Sequence, residues 1–459
     1  MSDHLLDPTG ELREVVSDCV HCGFCLTACP TYQLWGEEMD SPRGRIHLIG
    51  QLLDGAHASP VAAEHLDRCL GCMACVPACP SGVRYDRLIE AARSGATEGS
   101  AAESGAPAES GAATRPAAEP VPALPPRSAR QRAFRAAIFA TFPYPGRLRR
   151  LTRPLRALQR IGADRLLTGD LAGRLIPEVA AALRVAPGPP AGRTVRGRFP
   201  EFVGARGRRR ATVGMLTGCV QQVFFPQVNM ATARVLASEG CDVVIPRGQG
   251  CCGALSLHDG RRGEAAAFAR RLIETFELAG VDAIVVNSAG CGSAMKEHAD
   301  LLRDDPRWAG RAIAHSAKVA DLSEFLVDLG PAAARHPLAL TVAYHDACHL
   351  ASAQRITRQP RELLTAIPEL VVAEVPDAGT CCGSAGIYNL VQPDAARQLG
   401  ARKASSVAGT GADLVVSGNP GCALQIAAAL SAAGSPKPVA HLAEVLDASI
   451  RARPPSTLL

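Results

Sequence analysis

Eight cysteines in two runs leave the start of this chain few folds to choose from. Cys19, Cys22, Cys25 and Cys29 are followed by Pro30, and Cys69, Cys72, Cys75 and Cys79 by Pro80. Both runs read C-x2-C-x2-C-x3-C-P, the spacing that wraps a loop of thiolates round a cubane [4Fe-4S] cluster, with the fourth cysteine of each run ligating the other cluster. The expected pairing is therefore Cys19, Cys22 and Cys25 with Cys79, and Cys69, Cys72 and Cys75 with Cys29. Soft thiolates select iron–sulfur chemistry, and two clusters with crossed ligands lie close enough to exchange electrons. The N-terminal segment thus reads as an electron-transfer module.

Zinc and disulfides are the competing uses of so many cysteines. Structural zinc sites pair their ligands across a longer loop, a pattern that neither run follows. Disulfides need an oxidising compartment, and the polar, acidic start (Asp3, Asp7, Glu11, Glu14) has no signal-peptide character. A cytoplasmic location is expected, with the seventeen cysteines available for metal.

The 459 residues, 47% of them hydrophobic, are enough for two or three domains with proper cores. No run of about 18 apolar residues occurs, so no membrane-spanning helix is expected. Only Lys296, Lys318, Lys403 and Lys437 interrupt an otherwise all-arginine basic complement, a bias that reads as genome composition and gives single arginines little weight. The net charge of +5 hides an asymmetry. Residues 127–160 carry ten Arg and no acid, residues 193–210 seven Arg against Glu201, and the rest is acidic by about 11 charges. Arg147, Arg149, Arg150, Arg153, Arg156 and Arg160, with Leu148, Leu151, Leu155, Leu158 and Ile161 between them, suit a helix on anionic lipid or on an acidic partner. A plain solvated face is the alternative. Nucleic acid is not an expected partner, because no recognition motif accompanies the charge.

Helical spacing is expected over 11–18, 43–54 and 61–67. Forty positions separate Cys29 from Cys69, more than a compact two-hairpin ferredoxin needs, which favours the α-helical type. In SPRGRI, Ser41 and Pro42 suit a helix start, and Arg43 and Arg45 are candidates to face a cluster or a partner subunit. Residues 94–128 are Ala, Gly, Ser, Pro and Glu with almost no large apolar side chain, and read as a disordered linker. The expected fold class is α+β and multidomain: a helical two-cluster ferredoxin domain (1–93), the linker, a basic helical segment (129–210), and two α/β repeats (211–335 and 336–459).

The repeats announce themselves by cysteine positions. Cys219, the pair Cys251 and Cys252, and Cys291 recur as Cys348, the pair Cys381 and Cys382, and Cys422, at offsets of 129 to 131. Short apolar runs (TVGMLTGC, DAIVVNSAGC, TVAYHDAC, ADLVVSGNPGC) precede the first and last cysteine of each copy, and helical stretches follow. Strand, loop and helix in alternation imply a parallel sheet with the cysteines at the carboxyl ends of strands, where such folds build sites. Gly253 and Gly383 would let the chain turn tightly after each cysteine pair.

The repeats resemble the cysteine-rich CCG domains of the heterodisulfide reductase B subunit. The whole order, from CVHCGFCLTACP and CLGCMACVPACP to NSAGCGS, YHDACHL, CCGSAGIYN and SGNPGC, resembles the iron–sulfur subunit of glycolate oxidase. That resemblance implies an oxidoreductase subunit that does not itself oxidise glycolate. It would take electrons from flavin-containing subunits converting glycolate to glyoxylate and pass them to a quinone or similar acceptor. Peripheral contact with the inner face of the cell membrane would follow. The iron–sulfur subunits of lactate utilisation and of anaerobic glycerol-3-phosphate dehydrogenase share these parts and are the alternatives within the class. A redox sensor is the alternative outside it, although no output domain is visible.

The heterodisulfide reductase pattern closes each repeat with Cys-x-x-Cys, where this chain has Ala294 and Gln425. Each repeat keeps four cysteines, enough for an ordinary cubane, one zinc or no metal. His345 and His349 flank Cys348 as candidate ligands or proton carriers, or as structural histidines; the first copy has Leu216 and Val220 there. Cys241 has Val371 as its counterpart and reads as a buried apolar thiol. No residue is assigned a catalytic role, because no nucleotide fingerprint or flavin site accompanies the cysteines.

Overall fold

The computed structural model describes residues 10–56, 59–102, 127–162, 167–169, 176–186, 188 and 199–459. It divides into two compact units, residues up to 133 with 255–264, and residues 134–254 with 265–459.

The described part of the first unit is built on helices. Glu11–Ser17, Pro30–Trp35, Pro42–Leu53, Pro60–Asp67, Cys75–Ala78 and Tyr85–Ala102 follow one another round the two cysteine loops. Three of them begin with proline, whose fixed φ suits the first helical position and whose missing N–H costs nothing there. Pro30 does this directly after Cys29, so the first motif runs straight into a helix. Ser41 caps the next one, its Oγ accepting from the Gly44 amide at 3.0 Å. Gly44 sits so close to the Glu38 carbonyl that a Cβ would fall 2.1 Å from its oxygen. Ile46, Ile49, Leu52, Leu53, Leu66, Leu88 and Ile89 are buried.

The helix Tyr85–Ala102 runs nine residues beyond the expected boundary at 93. Composition misled there: Ala96, Glu98, Ala101 and Ala102 are too small or too polar to make a core, but they are good helix formers that extend a helix already nucleated by the buried Leu88 and Ile89. The rest of the expected linker, to residue 126, lies outside the described residues.

The basic segment forms helices Ala129–Thr141, which begins in the first unit and ends in the second, and Pro145–Arg160 and Pro177–Val185 in the second. Its helical character does not reach 210 as expected. Residues 202–203 form a short strand, β1 (Phe202–Val203), antiparallel to a sheet of the first repeat. That sheet comprises β2 (Ala211–Met215), β3 (Cys241–Val244), β4 (Ala283–Val286) and β5 (Val319–Asp321), in the order β1-β3-β2-β4-β5. The second repeat has β6 (Leu340–His345), β7 (Leu370–Glu374), β8 (Leu414–Ser417) and β9 (Val439–Ala440), in the order β7-β6-β8-β9, all parallel. Setting β1 aside, the two topologies are the same. Central strands such as β4 and β8 are apolar on both faces because helices cover both. Val213, Met215 and Val285 join Val342, Tyr344 and Val416 in one shared core.

In each sheet the first strand of the repeat lies between the second and the third, so the connections leave it in opposite directions. Such a switch point opens a crevice at the strands' carboxyl ends. Cys219 follows β2 and Cys291 follows β4; Cys348 follows β6 and Cys422 follows β8. The cysteine pairs come from the loops after β3 and β7.

Candidate metal centres

The ferredoxin-like cysteines surround two recesses. One, of about 420 Å³, is lined by Cys19, Cys22 and Cys25 of the first motif with Cys75 and Cys79 of the second. The other, of about 290 Å³, is lined by Cys69, Cys72 and Cys75 of the second motif with Cys29 of the first. Cysteines of both motifs thus meet at each recess. Cys22 is exposed and Cys19, Cys25 and Cys79 are half-buried, whereas Cys29, Cys69, Cys72 and Cys75 are buried.

Both loops curl by the same device. The third and fifth residues of each motif take the left-handed conformation: His21 and Gly23 in the first, Gly71 and Met73 in the second. Each loop has one glycine and one residue with a side chain, in exchanged places. Two left-handed turns within seven residues point successive thiols inward, and the non-glycine member carries roughly 1–2 kcal/mol of strain.

The donor set fits an iron–sulfur group. Burial pushes the Cys25 thiol up to about 11 and holds Cys75 well above the ordinary thiol range, with the neighbouring thiols Cys72 and Cys69 adding to the effect. Ligated iron supplies the positive charge that lets such groups ionise. Cys69 differs. Burial would raise it, but Arg45, Arg93, the Tyr85 hydroxyl and the Gly71 amide outweigh burial and hold it below the usual range. Tyr85 Oη donates to Cys69 Sγ at 3.4 Å and the Gly71 N–H at 3.3 Å. Cys29 Sγ lies 3.2 Å from Thr31 Oγ1. Of the two arginines in SPRGRI, Arg43 pairs with Glu38 at the rim and donates to the His21 carbonyl at 3.1 Å, while Arg45 is buried beside Thr31. The helix start and the approach to the cysteines both hold. Tyr85 and Arg93 carried no signal in the motif spacing.

The repeats gather their cysteines more tightly. Cys219 Sγ and Cys251 Sγ lie 3.6 Å apart, and the free thiol of Cys252 is hydrogen-bonded to those of Cys251 and Cys291. In the second repeat Cys381 is hydrogen-bonded to Cys348 and Cys382, and Cys382 to Cys422. Gly253 and Gly383 have φ of +89° and +88°, and a Cβ on Gly383 would lie 2.7 Å from the Ala396 carbonyl oxygen. The tight turn after each pair therefore requires glycine. Ala294 is buried, and Gln425 is held by Asn389 at 3.1 Å and the Ala396 carbonyl at 3.0 Å.

The two histidines of YHDACHL part company. His349 Nδ1 lies 3.6 Å from Cys348 Sγ. His345 ends β6 with 1% of its surface exposed and, among the described residues, no hydrogen-bond partner on either ring nitrogen. The reading as a satisfied structural histidine therefore fails for His345. Its ring nitrogen and the sulfurs of Cys382 and Cys422 lie within 4.8 Å of one another. Burial, with Lys403 close by, lowers the His345 imidazole to about 3 and keeps it neutral. Lys403 is itself buried, donating to the Asp377 carbonyl at 2.8 Å. Its rarity as one of four lysines was the signal available for it in the sequence. Cys241 is fully buried in β3, and burial raises its thiol to about 11.

Comparison with known proteins agrees along the chain. A family model described as a 4Fe-4S dicluster domain matches residues 15–83, and a cysteine-rich domain model matches 213–296 and again 342–427. A third, described as the linker region of the glycolate oxidase iron-sulfur subunit, matches 130–185. The Bacillus subtilis (strain 168) protein named "Probable glycolate oxidase iron-sulfur subunit" is 35% identical over 94% of this chain and 93% of its own. The Escherichia coli (strain K12) glycolate oxidase iron-sulfur subunit is 34% identical over 91% of each. Lactate utilization protein A of an Exiguobacterium species is 33% identical over 98% of its own length, but over only 52% of this chain.

Proposed function

The chain belongs to the family of glycolate oxidase iron–sulfur subunits, and we propose that it relays single electrons from a flavin-containing, glycolate-oxidising partner to a quinone-type acceptor. As an electron-transfer subunit of an oxidoreductase complex it works alongside other subunits. Two [4Fe-4S] clusters, when bound, supply one-electron carriers. The ligand sets we assign are Cys19, Cys22, Cys25 and Cys79, and Cys69, Cys72, Cys75 and Cys29. The observation that carries the proposal is the pair of recesses, each lined by three cysteines of one motif together with the fourth of the other, Cys75 facing both.

The surrounding residues divide the work. Arg45, Arg93 and the Tyr85 hydroxyl gather positive charge and a hydrogen bond at Cys69, which favours extra negative charge at the buried set. Val20, which lines the recess of the half-exposed set, and Phe24 in the same loop are 68% and 65% exposed. Apolar side chains so exposed beside a redox site support a partner docking there. Six exposed arginines on Pro145–Arg160, with Leu151 and Ile161 also exposed, support peripheral contact with anionic lipid. Among the described residues no helix is long and apolar enough to cross a membrane. Glycolate is favoured over lactate as the donor because the glycolate oxidase relatives match nearly the whole chain, whereas the lactate utilisation relatives match about half.

The test is anaerobic isolation with the accompanying flavoprotein, followed by separate addition of glycolate, lactate or glycerol 3-phosphate. Cluster bleaching and a reduced-cluster paramagnetic signal should appear with glycolate. Preference for another donor would move the chain to a sister complex, and no bleaching with a bound flavoprotein would refute the relay.

A further inference from the structure

We propose that the second repeat holds a single thiophilic divalent ion, of which zinc is the type, through His345, Cys382 and Cys422. The site uses none of the ferredoxin cysteines, and the inference does not depend on the electron relay.

Spacing comes first. The three ligand atoms lie within 4.8 Å of one another. Two thiolates bound to one tetrahedral zinc stand about 3.8 Å apart, given Zn–S bonds of about 2.3 Å. A small closure of these side chains therefore suffices for a mononuclear ion.

His345 is the second, independent observation. An imidazole with no partner on either nitrogen and almost no solvent contact is an uncompensated loss of hydration. A metal bond removes that loss at one nitrogen. Neutral imidazole is the ligating form. His345 closes β6 in register with Ser417 of β8, and Cys422 follows β8, so both reach the switch-point crevice from adjacent strands. Asn419 Nδ2 donates to Cys422 Sγ at 3.4 Å, the kind of outer contact that orients a metal ligand.

The first repeat differs: Leu216 stands where His345 does, and the buried imidazole beside its cysteine pair, His298, spends Nε2 on the Cys252 carbonyl at 3.0 Å. One nitrogen and two sulfurs suit zinc, and cobalt can stand in for it with a visible spectrum.

The experiment loads the anaerobically purified full chain with Co²⁺ and records cobalt and iron content, the visible spectrum and X-ray absorption at the cobalt edge. Iron is the control for the ferredoxin clusters. Expected are bound cobalt with thiolate-to-metal charge-transfer bands and a shell of mixed nitrogen and sulfur. His345→Ala and Cys422→Ser should each weaken the nitrogen-bearing site at least about tenfold while iron stays constant. Cys219→Ser, in the first repeat, should leave that site intact. An all-sulfur shell in the unsubstituted chain, equal cobalt affinity in His345→Ala, or no bound cobalt would each overturn the proposal. The absorption edge needs no variant, so a misfolded substitution does not shelter the idea. Failure of glycolate to bleach the clusters would sink the electron relay and leave this site standing.

Discussion

The guanidinium of Arg45 lies 3.1 Å from the carboxylate of Asp40, with 1% and 0% of their side chains exposed. Arg45 also donates to the carbonyls of Asp40 and His65 at 2.6 and 2.7 Å and to Thr31 Oγ1 at 3.1 Å. Asp40 in turn holds His65 at 3.0 Å and Arg68 at 3.2 Å. A buried pair with both carboxylate oxygens engaged joins the helix Pro42–Leu53 to the approach of the second cysteine loop. Such a pair contributes little beyond a hydrophobic replacement, but breaking one side of it is costly.

Arg45→Met should therefore destabilise the ferredoxin unit, by up to about 3–5 kcal/mol, because buried Asp40 is left with only His65 and the half-exposed Arg68 as partners. Adding Asp40→Asn should recover part of the loss. Denaturant unfolding of the cluster-loaded protein measures both. An Arg45→Met variant within about 1 kcal/mol of the parent would show that the pair is not what ties the helix to the loop.

Tyr85→Phe keeps the buried ring and removes the hydroxyl that donates to Cys69. Hydrogen bonds to cluster sulfur raise the reduction potential. One such bond, at roughly 0.5–1 kcal/mol, corresponds to ~20–40 mV in a one-electron couple. The cluster assigned to Cys69, Cys72, Cys75 and Cys29 should become harder to reduce by that amount, with iron content unchanged. A redox titration followed by paramagnetic resonance checks it. A shift of the other cluster, or one of opposite sign, would refute this account of Cys69.

The crossed ligand sets predict a pattern of non-additivity. Cys22→Ser should cost one cluster, taking iron from about eight to about four per chain. Adding Cys79→Ser should cost nothing further, since both residues serve the same cluster, whereas adding Cys29→Ser should remove the second. Uncrossed ligation predicts the reverse, and iron analysis of the two double variants separates them.

What could be read from the sequence depended on whether one residue's meaning lay in its neighbours along the chain. Cysteines at fixed spacing, with Pro30 behind Cys29, carry their geometry with them, and the offset of about 130 residues exposes the duplicated sheet. Ser41 and Pro42 marked a helix start for the same local reason. Tyr85, Arg93 and Lys403 act through folding, and nothing beside them in the chain says so. The missing partners of His345 are likewise a property of packing, invisible in YHDACHL. Phe202 and Val203 make a strand of only two residues, and they do so because β3 pairs with them rather than through any alternation of their own. The helix that runs past residue 93 shows composition failing in the opposite direction, since a segment too poor to build a core can still extend a helix.

The two repeats answer pH in opposite senses through equivalent caps. Asp321 ends the fourth strand of its repeat and His441 follows the fourth strand of the other; each caps the next helix, Leu322–Leu329 or Leu442–Ile450, in a capping box with Glu324 or Glu444. Burial raises the Asp321 carboxyl to about 6, above an ordinary value of 3.8, against the hydrogen bonds from Ser323. Its stabilisation is complete below about pH 3.8 and is lost as pH rises through about 6. Burial lowers His441 to about 4 from 6.5, against the pull of the Asn287 carbonyl that accepts from Nε2 at 2.8 Å, while Nδ1 accepts from the Ala443 amide at 3.0 Å. Its stabilisation is complete above about pH 6.5 and is lost as pH falls through about 4. Between pH 4 and 6 the two slopes oppose. Each cap's pH-dependent contribution is roughly 3 kcal/mol. Asparagine can cap either helix, so Asp321→Asn should expose the His441 slope and make the unit more acid-sensitive, while His441→Asn should leave it more stable at pH 4 than at pH 6. Hydrogen exchange at the amides of the two helices reads this locally, free of acid damage to the clusters. Identical pH profiles in the two variants would mean that neither cap titrates in this range.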